Sequence, residues 1–390
     1  MQQVEIEALP IHIEEHRRYD QCCRNCNQVH RVPWPDDLRR AGLVGPRLTT
    51  LIGYLKSACQ MSFSCIRKSL RDVVGVTISR GQLRKLVAKV ADGLLTPYEQ
   101  LPALLPEEHV LNVDETGHKD NGRRLWTWCF RASLCTVFKS SPSRSSDVLL
   151  EVLGQEFDGL LGCDYFGAYR KYMRLNENVT LQFCPAHFIR DVKFLAEHPN
   201  EQNRAHGLRL LEHFRKLFKT IHRRGDYATA TGYQNALARI RRQLVYGAVI
   251  NSPGTREADN LGDRFCRHFD SFFTFITTPG IEPTNNPAEQ AIRFVAIHRR
   301  LTQGARGKAG QTWCERIWTV IATCRQQGRS LFGYLHEAVQ SCFQSQPAPP
   351  LVPAPDSSWL RSAGTPQDAP SPAAAHRHHC APAAFHAMIS

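Results

Sequence analysis

The sequence predicts an α/β protein: a mixed sheet interrupted by an all-helical insertion, preceded by a helical N-terminal region and followed by a disordered C-terminal tail. Three observations carry this expectation. Short apolar or alternating runs separated by polar turns crowd residues 110–184. Amphipathic periodicity dominates on both sides of them, over 45–95 and 188–276. After Gln346 the composition turns abruptly to Pro, Ala and Ser, too poor in apolar surface to fold.

With 390 residues the chain exceeds one ordinary domain, and its 42% hydrophobic content is enough for real cores. Lys and Arg outnumber Asp and Glu by 49 to 36, giving a net charge of +13 and favouring a polyanionic partner such as nucleic acid. The 14 cysteines are scattered through apolar segments (Cys129, Cys135, Cys163, Cys266, Cys324) rather than gathered in a disulfide scaffold, as in a reducing cytosol. No signal-peptide pattern and no window of roughly 18–20 apolar residues is present, so the expectation is a soluble cytoplasmic protein with no membrane partner.

Residues 1–44 are polar and carry a Cys-x2-Cys knuckle, Cys23 and Cys26, flanked by His12, His16 and His30. A structural zinc needs four ligands and the knuckle supplies two, so this segment reads either as an incomplete zinc-binding segment or as a local turn. Residues 45–106 read as a helical region and linker. One amphipathic helix spans 62–75 and ends at Gly75; Ser79 then caps a second helix whose polar face carries Arg80, Arg84, Lys85 and Lys89. That is a helix-turn-helix pattern, and equally the pattern of a helical hairpin with a solvated cationic face. Pro97, Pro102 and Pro106 mark the linker.

From 107 to 187 the period becomes extended. Strands are expected at Val110–Asp114, Leu125–Arg131, Leu134–Lys139, Leu160–Phe166 and Val179–Cys184, with Asp120-Asn121-Gly122-Arg123 as a hairpin turn and helices at Ser145–Leu153 and around Tyr169. Strand, strand, strand, helix, strand, helix, strand is the order of an RNase H-like fold. Residues 188–280 form the helical insertion, 281–345 return to the catalytic unit, and 346–390 are the tail.

Asp114 and Asp164 close the first and fourth strands, which lie adjacent and parallel in such a sheet. Like charges this close repel unless a cation neutralises them, and paired divalent ions bridged by carboxylates are the arrangement that serves phosphodiester transfer. Glu289 offers a third carboxylate in the first turn of a helix expected to be capped by Asn286, with Pro287 at its first position. The same Glu also fits a simple capping role. Arg293, His298, Arg299, Arg300, Arg306 and Lys308 follow it and would bring cations beside a phosphate. Cys184 and His187 read as structural residues at the end of the fifth strand, two ligands making a poor metal site. Of Trp126 and Trp128, alternating on one strand, one is expected in the core.

Several ordered motifs resemble those of insertion-sequence-66 family transposases over about residues 10–340. They are Val113-Asp114-Glu115-Thr116 with Trp126-Thr127-Trp128, Cys163-Asp164-Tyr165-Phe166-Gly167-Ala168-Tyr169, Cys184-Pro185-Ala186-His187, the run Thr284 to Arg293 around Glu289, and Arg299-Arg300-Leu301-Thr302-Gln303-Gly304. The resemblance implies an RNase H-like core of the Asp-Asp-Glu type with Asp114, Asp164 and Glu289 as catalytic metal ligands. It also implies dependence on Mg2+ or Mn2+, and double-stranded DNA partners: the element's terminal inverted repeats and target DNA. A homo-oligomer on DNA and accessory element-encoded proteins are expected with it. Relatives carry a further Cys-x2-Cys upstream of Cys23 and Cys26 that this chain does not contain, so the expectation includes an incomplete Zn2+ site and a truncated, inactive copy as one outcome. The alternatives are a non-catalytic DNA-binding protein and a nuclease-only remnant.

Overall fold

The structure, a computed structural model, describes residues 11–278 and 280–352. A short antiparallel hairpin, β1 (Gln21–Cys22) and β2 (Val29–His30), is followed by α1 (Asp36–Ala41) and three longer helices: α2 (Pro46–Ser57), α3 (Phe63–Val73) and α4 (Arg80–Gly93). Ser62 and Ser79 cap α3 and α4 as their sequence positions require, accepting the N–H groups of Cys65 (3.1 Å) and Gln82 (3.2 Å). Gly75 turns the chain between them at φ +75°. Prolines 97, 102 and 106 do not mark a free linker. They lie in α5 (Leu95–Gln100) and a 3-10 turn (Pro102–Glu107), where Leu101 and Leu105 are buried and the Tyr98 hydroxyl donates to the Phe138 carbonyl at 3.0 Å.

The sheet holds five strands in the order β5-β4-β3-β6-β7: β3 (Val110–Asp120), β4 (Arg123–Arg131), β5 (Thr136–Ser141), β6 (Leu160–Cys163) and β7 (Thr180–Phe183). The first three form an antiparallel meander, while β6 and β7 run parallel to β3. Helices α6 (Asp147–Leu153) and α7 (Gly167–Leu175) make the crossovers. The order of elements and the β3–β6 adjacency are those read from the sequence. Three boundaries differ for physical reasons. β3 runs on to Asp120, because its hairpin with β4 pairs every residue from Asn112 to Asp120. β5 starts only at Thr136, because Ala132 N–H bonds the Cys135 carbonyl and closes a turn first. β6 stops at Cys163, because the Asp164 carboxylate accepts the Phe166 N–H at 2.8 Å and bends the chain.

The insertion is helical as its periodicity predicts: α8 (Pro185–Ala196), α9 (Glu201–His222), α10 (Ala230–Val245), α11 (Arg256–Arg267) and two single turns, α12 (Phe269–Phe272) and α13 (Thr274–Thr277). Phe188, Phe265 and Phe272 meet with ring centroids 5.0–5.4 Å apart at its base. It is tied to edge strand β7 by Thr274 Oγ1 donating to the Leu181 carbonyl and by Phe275 N–H donating to Gln182 Oε1, both at 2.8 Å.

Three further helices follow among the described residues: α14 (Asn286–Thr302), α15 (Lys308–Gln326) and α16 (Leu331–Phe343). α15 covers the opposite edge, where Thr323, Thr319 and Glu315 accept the N–H groups of Thr136, Phe138 and Ser140 on β5 at 3.1, 3.0 and 2.6 Å. An edge strand covered in this way offers no template for a foreign strand. α16 packs on α2 and α4, joining the N-terminal helices to the sheet through one continuous core. The tail is not loose from Gln346 onward: Leu351 is buried, its carbonyl accepts from Gln327 Nε2 at 3.1 Å, and the Pro349 carbonyl accepts from the Tyr334 hydroxyl at 3.0 Å. The expectation of disorder for 353–390 lies outside the described residues.

Candidate active site

The alternation of β3 decides what faces what. Its even-numbered side chains, Asn112, Asp114, Thr116 and His118, share one face, and Asn112 and Thr116 meet the Asn285–Arg299 segment there. Odd-numbered Leu111, Val113 and Glu115 point the other way, and Glu115 meets Tyr169 of α7.

Asp114 sits in the middle of β3, not at its end as the apolar run suggests. The parallel ladder with β6 nevertheless stops at Asn112–Gly162, and the fixed offset in that register (Val110 with Leu160, Leu111 with Leu161) brings Asp114 level with Asp164 two residues beyond the last pair. Both carboxylates therefore leave the carboxyl end of the parallel part of the sheet together.

Glu289 arrives from α14, and its helix starts one residue earlier than expected. Asn285 stands at the cap position, and its side chain makes no capping bond. Its Nδ2 donates to the Val113 carbonyl at 2.8 Å, and its Oδ1 accepts from Asn112 Nδ2 at 3.1 Å. Asn285 is 1% exposed, so these bonds form away from water and fix the first turn of α14 against β3. Gly162 makes room for this pair: a Cβ there would fall 2.3 Å from Asn112 Nδ2.

The electrostatics converge on Asp114. Burial pushes its carboxyl up to about 8, and the charges of Glu115, Asp164 and Glu289 add to the effect, against one N–H from Glu115 at 2.9 Å. The charges of Asp164 and Glu289 reach Asp114, yet the three carboxylates do not form a close ligand set: among the described residues the group whose ligand atoms lie within 4.8 Å of one another is Cys184, His187 and Glu289.

The residues beneath the site carry weight that the sequence motifs alone do not assign. Glu115 is buried; Arg144 Nη2 and Nε reach its Oε1 at 2.7 and 2.9 Å, and the Tyr169 hydroxyl donates to its Oε2. Burial pushes the Glu115 carboxyl up, and Tyr169 and Arg144 pull it back. The Arg144 guanidinium also lies over the rings of Phe166 (3.9 Å) and Trp126 (4.5 Å). Trp128 is the core tryptophan, fully buried against Phe130 and Tyr169. The signal in the sequence was a charged residue at an inward position of an otherwise apolar alternation.

Cys184 follows β7 at the cap position of α8, and His187 lies in the first turn of that helix. Glu289 Oε1 is 3.9 Å from Cys184 Sγ and 3.7 Å from His187 Nδ1, so the pair read as structural has a third polar partner. Burial pushes the Cys184 thiol up to about 11.

The cationic residues separate into groups. Arg80, Arg84, Lys85, Arg293, Arg300, Arg306 and Lys308 are exposed. Arg84, Arg306 and Lys308 line one cleft of about 710 Å³ between α4 and the α14–α15 junction, together with Lys56 and Arg316. Lys89 lies with its ammonium 4.9 Å from the centroid of Phe343. Arg299 turns inward, donating to Thr116 Oγ1 at 3.2 Å and to the Gly117 carbonyl, which makes it a clasp between α14 and β3. His298 is buried against Trp318 rather than facing outward. Close to β3, Gly304 is held at φ +109°, where a Cβ would meet the Lys119 carbonyl oxygen at 2.4 Å; Ala305 then bonds that oxygen through its N–H at 2.8 Å.

In the N-terminal hairpin the Cys23 thiol is lowered by backbone N–H groups of Cys26 and Asn25 directed at it. Among the described residues no third Cys, His, Asp or Glu joins Cys23 and Cys26 within ligand range, so His12, His16 and His30 do not complete a site there. No helix among the described residues is long and apolar enough to cross a membrane.

Comparison with known proteins follows the same lines. A curated relative, the uncharacterized protein y4hP of Sinorhizobium fredii (strain NBRC 101917 / NGR234), is 22% identical over 338 residues, covering 78% of this chain. The chain spans 60% of that relative's length. The family model described as "Transposase IS66 family" matches residues 41–312, from the helices before the sheet through α14 and into α15. The chain therefore belongs to the IS66 family of transposases.

Proposed function

We propose that this protein is a DNA transposase that cleaves the ends of its element and joins them to target DNA at one Asp-Asp-Glu site on an RNase H-like core. The observation that carries the reading is that the β3–β6 register brings Asp114 and Asp164 level, while Asn285, four residues before Glu289, bonds the Val113 carbonyl next to Asp114 at 2.8 Å. Asp114 and Asp164 offer oxygen ligands only, which suits hard divalent ions such as Mg2+ or Mn2+. Asp114 and Asp164 would hold the ions and Glu289 would complete the set. When bound, such ions make water or a 3′ hydroxyl a better nucleophile and offset charge on the scissile phosphate.

The chain's own groups account for the rest. Asn285 and Arg299 hold α14 to β3 so that Glu289 keeps its place. Glu115, clamped by Arg144 and Tyr169, stiffens the strand that carries Asp114. Arg84, Arg306 and Lys308 offer phosphate contacts along one cleft, and Arg80, Lys85, Arg293 and Arg300 extend the cationic surface. α3 and α4 serve as the DNA-reading hairpin. Because two element ends must be brought together, the active species is a dimer or larger. Cys23 and Cys26 present two of the four ligands that a structural zinc requires, and no step depends on them.

The test combines the purified protein, a labelled element end, Mg2+ and a target plasmid. Joined product that disappears in Asp114→Asn and in Glu289→Gln supports the proposal. Nicking without joining identifies a nuclease, and a metal-independent mobility shift with neither product identifies a DNA-binding protein. Joining that survives either substitution overturns the site assignment.

A further inference from the structure

Cys184, His187 and Glu289 bring a sulfur, an imidazole nitrogen and a carboxylate oxygen within 4.8 Å of one another. Ligand bonds of about 2.0–2.3 Å around a tetrahedral zinc set donor atoms roughly 3.3–3.8 Å apart; the His187–Glu289 separation of 3.7 Å lies within that range and the Cys184–Glu289 separation of 3.9 Å just outside it. His187 Nδ1 is buried and has no hydrogen-bond partner, although it faces a carboxylate oxygen. At 3.7 Å it is too far for a hydrogen bond and well placed for a shared ion.

We propose that Cys184, His187 and Glu289 bind a borderline-soft divalent ion of the zinc class, with a fourth position open to water or a phosphate oxygen. The set joins the β7–α8 junction, which carries both Cys184 and His187, to the first turn of α14, 105 residues beyond Cys184. A thiolate and an imidazole select this class of ion over Mg2+, which prefers oxygen alone. The inference uses no catalytic step and stands whether or not the Asp-Asp-Glu reading holds.

Cobalt(II) is the probe, because a thiolate ligand gives it a charge-transfer band. The full chain carrying Cys23→Ser and Cys26→Ser is stripped of metal and titrated with Co2+. One equivalent should bind with the charge-transfer band and the visible spectrum of a four-coordinate ion, and saturating Mg2+ should leave both unchanged. Cys184→Ser should abolish the band, and His187→Ala should weaken binding by about 100-fold or more, since even supporting groups around a metal are worth 10–100-fold. Matching metal-free thermal unfolding of the parent and variants establishes that each variant is folded. Co2+ binding without a thiolate band, a band that persists in Cys184→Ser, or displacement by Mg2+ would each overturn the site. Unchanged affinity in Glu289→Gln would remove its third ligand and overturn the shared set. Strand joining is not part of this readout, so a failed transposition assay leaves the result legible.

Discussion

Asn285 Nδ2 donates to the carbonyl oxygen of Val113 at 2.8 Å, one residue before Asp114 and across 172 positions of sequence. This bond, with the Asn112 pair, sets the position of α14 on the sheet and so the position of Glu289. Replacing Asn285 by Ala leaves a buried carbonyl without its donor, at a cost of about 1–3 kcal/mol. The expected outcome is a lower denaturant midpoint and loss of strand joining with DNA affinity retained. A variant that joins at the parental rate would show that α14 is held by other means.

Gly162→Ala forces a methyl group against Asn112 Nδ2 and should destabilise by about 1–3 kcal/mol, as overpacking does. Adding Asn112→Ala opens that space, so the double variant should recover part of the loss. Urea unfolding of the four proteins in the cycle measures the coupling. Strict additivity would place the clash elsewhere.

Asp114→Asn should separate stability from activity. Because burial pushes its carboxyl up to about 8, the metal-free fold at neutral pH must protonate Asp114, a cost that Asn does not carry, so the variant's metal-free stability should rise by about 1–3 kcal/mol while strand joining ends. Mg2+ should raise the melting temperature of the parent and leave that of the variant nearly unchanged. Thermal unfolding with and without Mg2+ decides the matter, and a variant less stable than its parent in chelator would contradict it.

His118 and His298 flank Trp318 at 5.5 and 5.4 Å, and both lie low at about 4, chiefly through burial, with Arg299 adding to the effect at His118 and Lys56 at His298. The unfolded rings bind protons below their ordinary value of 6.5 while the folded rings do not. Stability is therefore complete above pH 6.5 and falls as pH drops toward 4, by up to about 3 kcal/mol for each ring. His118→Phe should flatten that part of the stability profile measured by urea titration at successive pH values. An unchanged slope between pH 6.5 and 4 would assign the loss to other groups.

Arg84, Arg306 and Lys308, on one cleft, should act on DNA as point charges. Each single change to Ala should reduce the slope of log affinity against log salt by about 1, evenly across sequences. Fluorescence anisotropy at several salt concentrations measures it. Arg299→Ala, by contrast, should lower stability and leave the slope intact, because that guanidinium is engaged by Thr116 and Gly117.

The features legible in the sequence were those written in local patterns. The alternation of Val110–Asp114, the Asn-Gly turn at 121–122 and the serine cap at 79 appear in the fold where the residues put them. The order of strands and helices also followed, and with it the neighbouring of β3 and β6. Local patterns could not show that Asn285 would give up capping for a bond to Val113, nor that Arg299 would turn inward. Those outcomes depend on partners far along the chain. The third partner of Cys184 and His187 was hidden for the same reason: Glu289 lies 105 residues from Cys184, beyond the whole helical insertion.

That separation orders the birth of the molecule. A growing chain completes the five-stranded sheet at Phe183 and then the insertion, and only afterwards emits α14. Closing so long a loop is slow compared with forming the β3–β4 hairpin. Until it closes, the Val113 carbonyl lacks its donor and the two aspartates lack their companion. A message cut short between the sheet and α14 would therefore yield a protein with its five strands and none of the seat for Glu289.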